Sequence, residues 1–222
     1  MKINSSILKI LSIMLVIIAV FNAPVFAEND DKSKVPDQVQ RAAEDGLNFL
    51  KSKFAENPAR YGFDNEKDVR DLKLGDGYQL KYVDAEKLKK DKKGSLLGIS
   101  NQVDVWQFTA DLDGNPKSYM LVANIDGKYK AVRFGGDATE YGKAIKTFKN
   151  KTNKNPEIVQ VGNEYFLVNK ENNEEQVLGT GSKNASIMKK ASTDFVSSST
   201  LVKELQERQE ENEKNKGRGF RN

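Results

Sequence analysis

Three strand-like segments follow one another closely in this chain, and they constrain its fold more than any other feature. They cover Val103–Leu112, Lys117–Ile125 and Lys128–Phe134. The second and third are separated only by Asp126-Gly127, a pair that favours a tight type I′ turn because glycine adopts positive φ without steric cost. The first two are joined by the turn-forming sequence DGNP. The pattern predicts an antiparallel meander whose third strand is broken at Gly135-Gly136.

Two amphipathic helices are predicted on either side of this meander. After Pro36, apolar residues recur every three or four positions up to Asn57-Pro58, which ends the helical pattern. These residues are Val39, Ala43, Leu47, Leu50 and Phe54. Residues 138–150 form the second helix, with Tyr141, Ala144 or Ile145, and Phe148 on one side.

Shorter elements complete the prediction. Asp64 is the expected cap of a short helix that ends at residue 72, and residues 85–94 are expected to form a charge-rich, solvated helical turn. Alternating side chains predict a strand at residues 78–82, and weaker patterns predict strands at 158–161, 164–169 and 177–181.

Together these elements predict one α+β domain over residues 36–181. The antiparallel sheet is expected to pack against the N-terminal and middle helices, which lie on one face of it in a two-layer arrangement. We expect residues 28–35 to be a disordered leader. Residues 182–222 are predicted to be a Ser- and charge-rich tail with a charged helix at about residues 200–214, whose apolar residues are Leu201, Val202 and Leu205.

The first 27 residues have the pattern of an export signal. Lys2 and Lys9 make the start positive, residues 10–20 are almost entirely apolar, and Ala27 is a small residue at the expected cleavage position. The apolar stretch is shorter than the roughly 18–20 residues that a membrane span needs. We predict cleavage between Ala27 and Glu28, a secreted product and no stable membrane span after cleavage, with an uncleaved membrane anchor as the alternative.

Histidine and cysteine are absent from all 222 residues. Their absence excludes Ser-His-Asp and Cys-His catalytic sites, and it excludes metal, haem or iron–sulfur sites that need His or Cys ligands. It also excludes disulfides and a lipid-anchoring cysteine. The formal net charge of +4 falls by two when Lys2 and Lys9 leave with the signal, so it gives no reason to expect nucleic acid binding.

The remaining motifs are weak candidates for chemistry. Ser186 and Lys189 have the spacing of a serine that a lysine amine could activate, although chance readily produces this pair in a Lys-rich chain. Residues 111–115 (DLDGN) resemble half of a calcium loop but are also ordinary turn chemistry, which is the interpretation we favour. We therefore predict no catalytic residue, metal or cofactor.

Two lysine clusters and the single tryptophan are the candidate ligand contacts. Lys89 and Lys90 belong to the first cluster, and Lys146 and Lys149 to the second. They could contact anionic wall polymer or lipid headgroups, or they could serve solubility and the C-terminal end of a helix. Trp106 is expected in the core, with a half-exposed aromatic residue lining a groove as the alternative.

A series of short motifs carries a resemblance to known proteins. In chain order they are Ala43, Gly46-Leu47, Phe49-Leu50, Tyr61-Gly62-Phe63, Leu74–Tyr78, Val105–Phe108, Leu112–Gly114, Gly127–Val132 and Gly135-Gly136. This order resembles a group of secreted proteins of unknown function from spore-forming Gram-positive bacteria, over about residues 36–170. The resemblance implies an exported small α+β domain and transfers no catalytic residue.

Two functions are compatible with these observations. The first is a non-enzymatic secreted protein that binds an extracellular protein or cell-wall polymer, as an inhibitor, an immunity factor or a chaperone-like factor. The alternative is a carboxylate-based secreted hydrolase acting on wall polysaccharide or peptidoglycan, which a cleft holding two acids would favour. The sequence favours the binding function, mainly because His and Cys are missing.

Overall fold

The computed structural model of the chain describes residues 35–162, 164–181 and 194–216, and the described residues from Val35 onward form one compact unit. The predicted export signal, its cleavage site at Ala27 and Glu28, and the Ser186–Lys189 pair lie outside the described residues. Within the described ranges, no helix is both long and apolar enough to cross a membrane.

The helices and strands follow the predicted order. The helices are α1 (Asp37–Ala55), a 3-10 helix (Pro58–Tyr61), α2 (Glu66–Arg70), α3 (Ala85–Lys90), α4 (Thr139–Thr152) and α5 (Ser198–Lys216). The strands are β1 (Lys73–Leu74), β2 (Tyr78–Val83), β3 (Ser100–Leu112), β4 (Asn115–Ile125), β5 (Lys128–Asp137), β6 (Glu157–Val161), β7 (Glu164–Glu171), β8 (Glu174–Gly179) and β9 (Val196–Ser197). The predicted cap of α2 is wrong by one residue, because Asn65 rather than Asp64 accepts the hydrogen bond from the Asp68 N–H.

All of these strands belong to one sheet. Its order is β5-β4-β3-β2-β6-β7-β8-β9, and β1 pairs with β3 beside the main path. Each neighbouring pair is antiparallel except β2 and β6, which run parallel and so join the meander β2–β5 to a second meander, β6–β9. The predicted α+β fold class is confirmed.

The hairpin turns of the first meander form as their sequences predict. Asp126 and Gly127 have φ angles of 52° and 79°, the positive pair that a type I′ turn requires. Gly135 and Gly136 behave differently from the prediction. They lie inside β5 with φ angles of 106° and 90°, and three steps of β5 there match two steps of β4. The predicted break is therefore a bulge, which bends the strand without ending it.

Helices cover both faces of the sheet, so the prediction of two layers with helices on one face is wrong. Helix α1 packs over the face that carries Trp106, and α4 packs over the opposite face, which carries Val105 and Leu121. The physical reason lies in β3, where successive side chains point to opposite faces and all six from Val105 to Ala110 are buried. Each face therefore needs its own helix.

Helix α5 is part of the core. Leu201, Val202 and Leu205 are buried against side chains of β6, β7 and β8. Leu96, from the loop after α3, is fully buried in the same cluster. The compact unit therefore extends beyond the predicted domain boundary at residue 181.

Candidate functional site

A polar cleft of about 340 Å³ lies between α4, the β3–β4 hairpin and the segment that joins β1 to β2. We call it the α4 cleft. Its polar lining consists mainly of two carboxylates, two ammonium groups and two phenols: Asp76, Asp111, Lys146, Lys149, Tyr78 and Tyr141. A second depression, of about 250 Å³ at the β7–β8 hairpin, offers only amide and carboxylate side chains. The α4 cleft is therefore the candidate site.

Helix α4 supplies one wall because of its residue spacing. Tyr141, Ile145 and Lys149 recur every fourth residue and lie on one helix face, with Gly142 and Lys146 beside them. A Cβ atom at Gly142 would overlap the ring of Pro116 in β4. Glycine at this position therefore lets the helix approach the hairpin closely enough to form a narrow cleft.

Asp76 is held by two neighbours. Its Oδ2 atom lies 2.7 Å from Lys149 Nζ and accepts a 3.3 Å hydrogen bond from the Tyr78 hydroxyl. Burial lowers the pKa of Lys149, but its hydrogen bonds with Asp76 and Tyr78 outweigh this effect and leave the pKa raised. Lys149 therefore stays charged and balances the charge of Asp76.

Asp111 lies in a more enclosed environment. Burial raises the pKa of its carboxyl group and nearby Asp76 adds to this, whereas the Thr109 hydroxyl and Lys146 act in the opposite direction. Its Oδ1 atom is closed to solvent and has no hydrogen-bond partner among the described residues. A Cβ atom at Gly75 would come within 2.8 Å of both carboxylate oxygens, so this close packing depends on glycine.

Lys146 joins the two walls of the cleft. Its Nζ atom donates to the Gly114 carbonyl oxygen at 3.1 Å and lies 3.3 Å from Asn115 Oδ1. Both acceptors belong to the β3–β4 turn. The lysine therefore bridges α4 and the hairpin, and it places a positive charge near Asp111.

Tyr141 brings a buried phenol to the cleft. Its side chain is 2% exposed, and its hydroxyl has no hydrogen-bond partner in the part of the chain that the structure describes. Its ring packs edge-on against Tyr119 at 5.5 Å and Tyr165 at 5.9 Å between ring centroids. Burial raises the pKa of Tyr141 well above its ordinary value, so the phenol keeps its proton and can donate it in a hydrogen bond.

The structure brings together only half of the predicted lysine contacts. Lys146 and Lys149 line the α4 cleft, but Lys89 and Lys90 lie on α3 and do not. Lys89 Nζ is 3.4 Å from a carboxylate oxygen of Glu213, and Lys90 Nζ is 3.8 Å from one of Glu86. A role for these two lysines in ligand contact stays a prediction.

Trp106 is not a surface residue. It is 6% exposed and packs with Phe108, Met120 and Val122 beneath α1. Its selection as a ligand contact is therefore wrong, and the expectation that it belongs to the core is confirmed. The reason is its position on the β3 face that α1 covers.

Sequence reasoning missed Asp76, Asp111 and Tyr141 as site residues. Asp76 stands between Gly75 and Gly77, a pair of glycines typical of a turn, and Asp111 begins the half calcium loop that we interpret as a turn. Asp113 and Gly114 do form a turn with positive φ, and no metal-binding group of three or more acidic residues exists in the described ranges.

No protein-family model matches the chain, and no curated protein or solved structure is significantly similar to it.

Proposed function

We propose that the chain is a secreted, non-enzymatic protein that binds an extracellular or cell-surface macromolecule through the α4 cleft. The observation that carries the proposal is that Asp111 Oδ1 and the Tyr141 hydroxyl are both buried without partners at this one cleft. A buried polar group left unpaired costs about 1–3 kcal/mol, so each such group calls for an explanation. Trp106, Gln107, Gln160 and Gln209 also hold such atoms, but within the described residues only Asp111 and Tyr141 hold them in the lining of the α4 cleft. A ligand that pairs them recovers part of this cost.

The cations of the cleft support binding over catalysis. Lys149 is paired with Asp76, and Lys146 is bonded to the β3–β4 turn. A lysine acts as a base or nucleophile when its pKa is depressed, whereas that of Lys149 is raised. The pKa and pairing of Lys149 therefore give no support to its acting as a base or nucleophile.

Export is the second part of the proposal and is supported by the pattern of residues 1–27. Mass spectrometry of the culture supernatant of the producing cells should find a mature chain that begins at Glu28. An intact chain beginning at Met1 in the membrane fraction would instead establish the uncleaved anchor.

Binding is tested with purified mature chain incubated with intact cells and wall preparations from the producer and from competing bacteria. We expect wild-type protein to sediment with at least one surface, and Asp111→Asn and Tyr141→Phe to reduce the bound fraction. The matched controls are Asp126→Asn, in the exposed β4–β5 turn, and Tyr165→Phe, whose ring contacts Tyr141 outside the cleft lining. Point variants are needed because deletion of α5 would remove core residues. Equal sedimentation of all four variants and the wild type would exclude the cleft as the binding site.

A carboxylate-based hydrolase is the second candidate, and one observation favours it. Asp76 and Asp111 line the same cleft in different environments, one beside a lysine and the other with a raised pKa. Glycoside hydrolysis uses two carboxyl groups in one cleft, and the one that acts as general acid has a raised pKa. Wild-type protein would then release reducing ends from wall polysaccharide, and Asp76→Asn and Asp111→Asn would each abolish the release. No release by the wild type above a buffer blank excludes this candidate.

A further inference from the structure

We infer that the α4 cleft holds one uncharged sugar residue of a glycan. This inference rests on the proposed binding function and specifies the chemistry of its ligand. It is carried by three properties of the cleft: its charge balance, its unpaired polar atoms and its size.

The charges of the cleft balance. Its two carboxylates, Asp76 and Asp111, are matched by two ammonium groups, Lys146 and Lys149, and one of each is already paired at 2.7 Å. An anionic ligand would meet the carboxylates and a cationic ligand the ammonium groups. Because burying an uncompensated charge is costly, the balance favours a neutral polar ligand.

The unpaired atoms suit a hydroxyl group. Asp111 Oδ1 is an acceptor, and the Tyr141 phenol can donate one hydrogen bond and accept others. A sugar hydroxyl donates one hydrogen bond and accepts two, so neighbouring hydroxyls on one ring can satisfy both atoms. A peptide ligand is less suitable, because the N–H and C=O groups of a backbone amide point in opposite directions. One amide therefore cannot satisfy both buried atoms.

The remaining lining suits the C–H groups of a sugar ring. Pro116 and Ile145 supply apolar surface on opposite walls, one from the hairpin and one from α4. A volume of about 340 Å³ lies at the small end of ligand pockets, which span roughly 300–1,000 Å³. The space therefore fits about one ring and not a long segment of polymer.

Entry of the ligand requires a side chain to move. Asp111 Oδ1 and the Tyr141 hydroxyl are closed to solvent as the cleft stands. Lys146 bridges the two walls of the cleft and lies near Asp111. The two acceptors of Lys146 lie at the exposed β3–β4 turn. When the lysine leaves them, its ammonium group and both acceptors can form hydrogen bonds with water instead. In the inferred complex this lysine turns outward from the hairpin as the sugar enters beside Asp111.

The test titrates ¹⁵N-labelled mature chain with two uncharged probes, the β-1,4-linked tetramer of N-acetylglucosamine and maltotetraose. At least one probe should shift the amide signals of Gly75, Gly114 and Gly142, which line the cleft. Asp111→Asn should weaken the binding by on the order of tenfold, because hydrogen bonds to a charged group are the stronger ones. Tyr141→Phe should weaken it less, and Asp126→Asn and Tyr165→Phe should leave it unchanged. Well-dispersed spectra establish that each variant is folded.

Three outcomes would overturn the inference. The first is the absence of shifts with both probes, and the second is a set of shifts confined to residues outside the cleft. The third is unchanged affinity in both cleft variants, which would mean that the sugar does not pair the two buried atoms. If Asp111→Asn and Tyr141→Phe still reduce sedimentation with cell surfaces in any of these cases, the proposed function stands and only its sugar ligand is wrong. If the wild type sediments with no surface, or all variants sediment as the wild type does, the proposed function itself fails.

Discussion

At the scale of single residues, Asp111 is the position where stability and the proposed binding function oppose each other. Its carboxyl group is half-buried, one of its oxygens has no partner among the described residues, and burial raises its pKa. The folded chain therefore holds the proton of this group more tightly than the unfolded chain does. Its contribution to stability falls as the pH rises from below the ordinary Asp pKa through the raised pKa of the folded state.

Replacement of Asp111 by Asn is therefore expected to leave the melting temperature at pH 7 unchanged or to raise it by a few degrees. The amide keeps the shape of the carboxyl group without its charge. The difference in melting temperature between Asp111→Asn and the wild type should become smaller toward pH 3, because the wild-type carboxyl group is then also neutral. Thermal unfolding followed by circular dichroism at both pH values measures this, with Asp126→Asn as the exposed control. A clear loss of stability at pH 7 would show that the charge of Asp111 serves the fold.

At the scale of elements, α5 shows that a short apolar pattern can predict a helix without predicting where that helix packs. Three apolar residues in its first two turns predicted a helix on a tail, but they could not show that Leu201, Val202 and Leu205 pack on the sheet. A polar cluster around Glu175 in β8 holds the start of α5 by hydrogen bonds. Its carboxylate accepts hydrogen bonds from Ser95 Oγ at 2.6 Å, Leu97 N at 3.2 Å and Ser198 Oγ at 3.1 Å.

Leu205→Ala is expected to lower the free energy of unfolding by about 2–5 kcal/mol, because it leaves a cavity between α5 and the sheet. Lys203→Ala, on the exposed side of the same helix, should change it by less than about 0.5 kcal/mol. Urea unfolding of the two variants measures both effects. Equal, small losses would mean that α5 does not belong to the cooperative core.

Glu175→Ala is expected to destabilise the chain by about 1–3 kcal/mol, because its three donors lose a charged acceptor in a partly buried place. The neighbouring exposed residue gives the control, since Glu174→Ala should have little effect. The same urea experiment compares them. Indistinguishable midpoints for the two variants would contradict a structural role of the Glu175 cluster.

The sequence predicted local structure better than the site, and the reason is physical. A type I′ turn such as Asp126-Gly127 depends on two adjacent residues, so its position could be read directly. The bulge at Gly135-Gly136 depends on pairing with β4, and the same glycines therefore resembled a strand end. The α4 cleft joins residues as far apart as Asp76, Asp111 and Lys149, and the spacing along the chain gives no indication that they meet.

At the scale of the whole molecule, the parallel pairing of β2 with β6 makes one sheet of two meanders. The β2–β6 pairing connects the two meanders, and helices pack on both faces of the resulting sheet. Trp106 lies in the first meander beneath α1, and Leu205 packs on the second. The continuous sheet leads us to expect that the halves unfold together.

A single unfolding transition is therefore expected, with the same midpoint by Trp106 fluorescence and by far-ultraviolet circular dichroism. Leu205→Ala, in the second meander, should shift the fluorescence midpoint of Trp106 as much as the circular dichroism midpoint. Separate transitions, or a fluorescence midpoint that this variant leaves unmoved, would show two independently folding halves.

The place of β2 between the two meanders also affects the order in which the sheet assembles. The chain is synthesised from its N-terminus, so β2 can pair with β3 well before β6 exists, and its other edge stays open in the meantime. An open strand edge can pair with an incorrect strand, and a lysine on that edge makes such pairing less favourable. Lys81 holds that position, and its Nζ atom ends 2.8 Å from Glu157, the first residue of β6. We therefore expect Lys81 to disfavour incorrect strand pairing while the edge of β2 is open. Once β6 has been synthesised, the ion pair of Lys81 with Glu157 stabilises the correct register between β2 and β6.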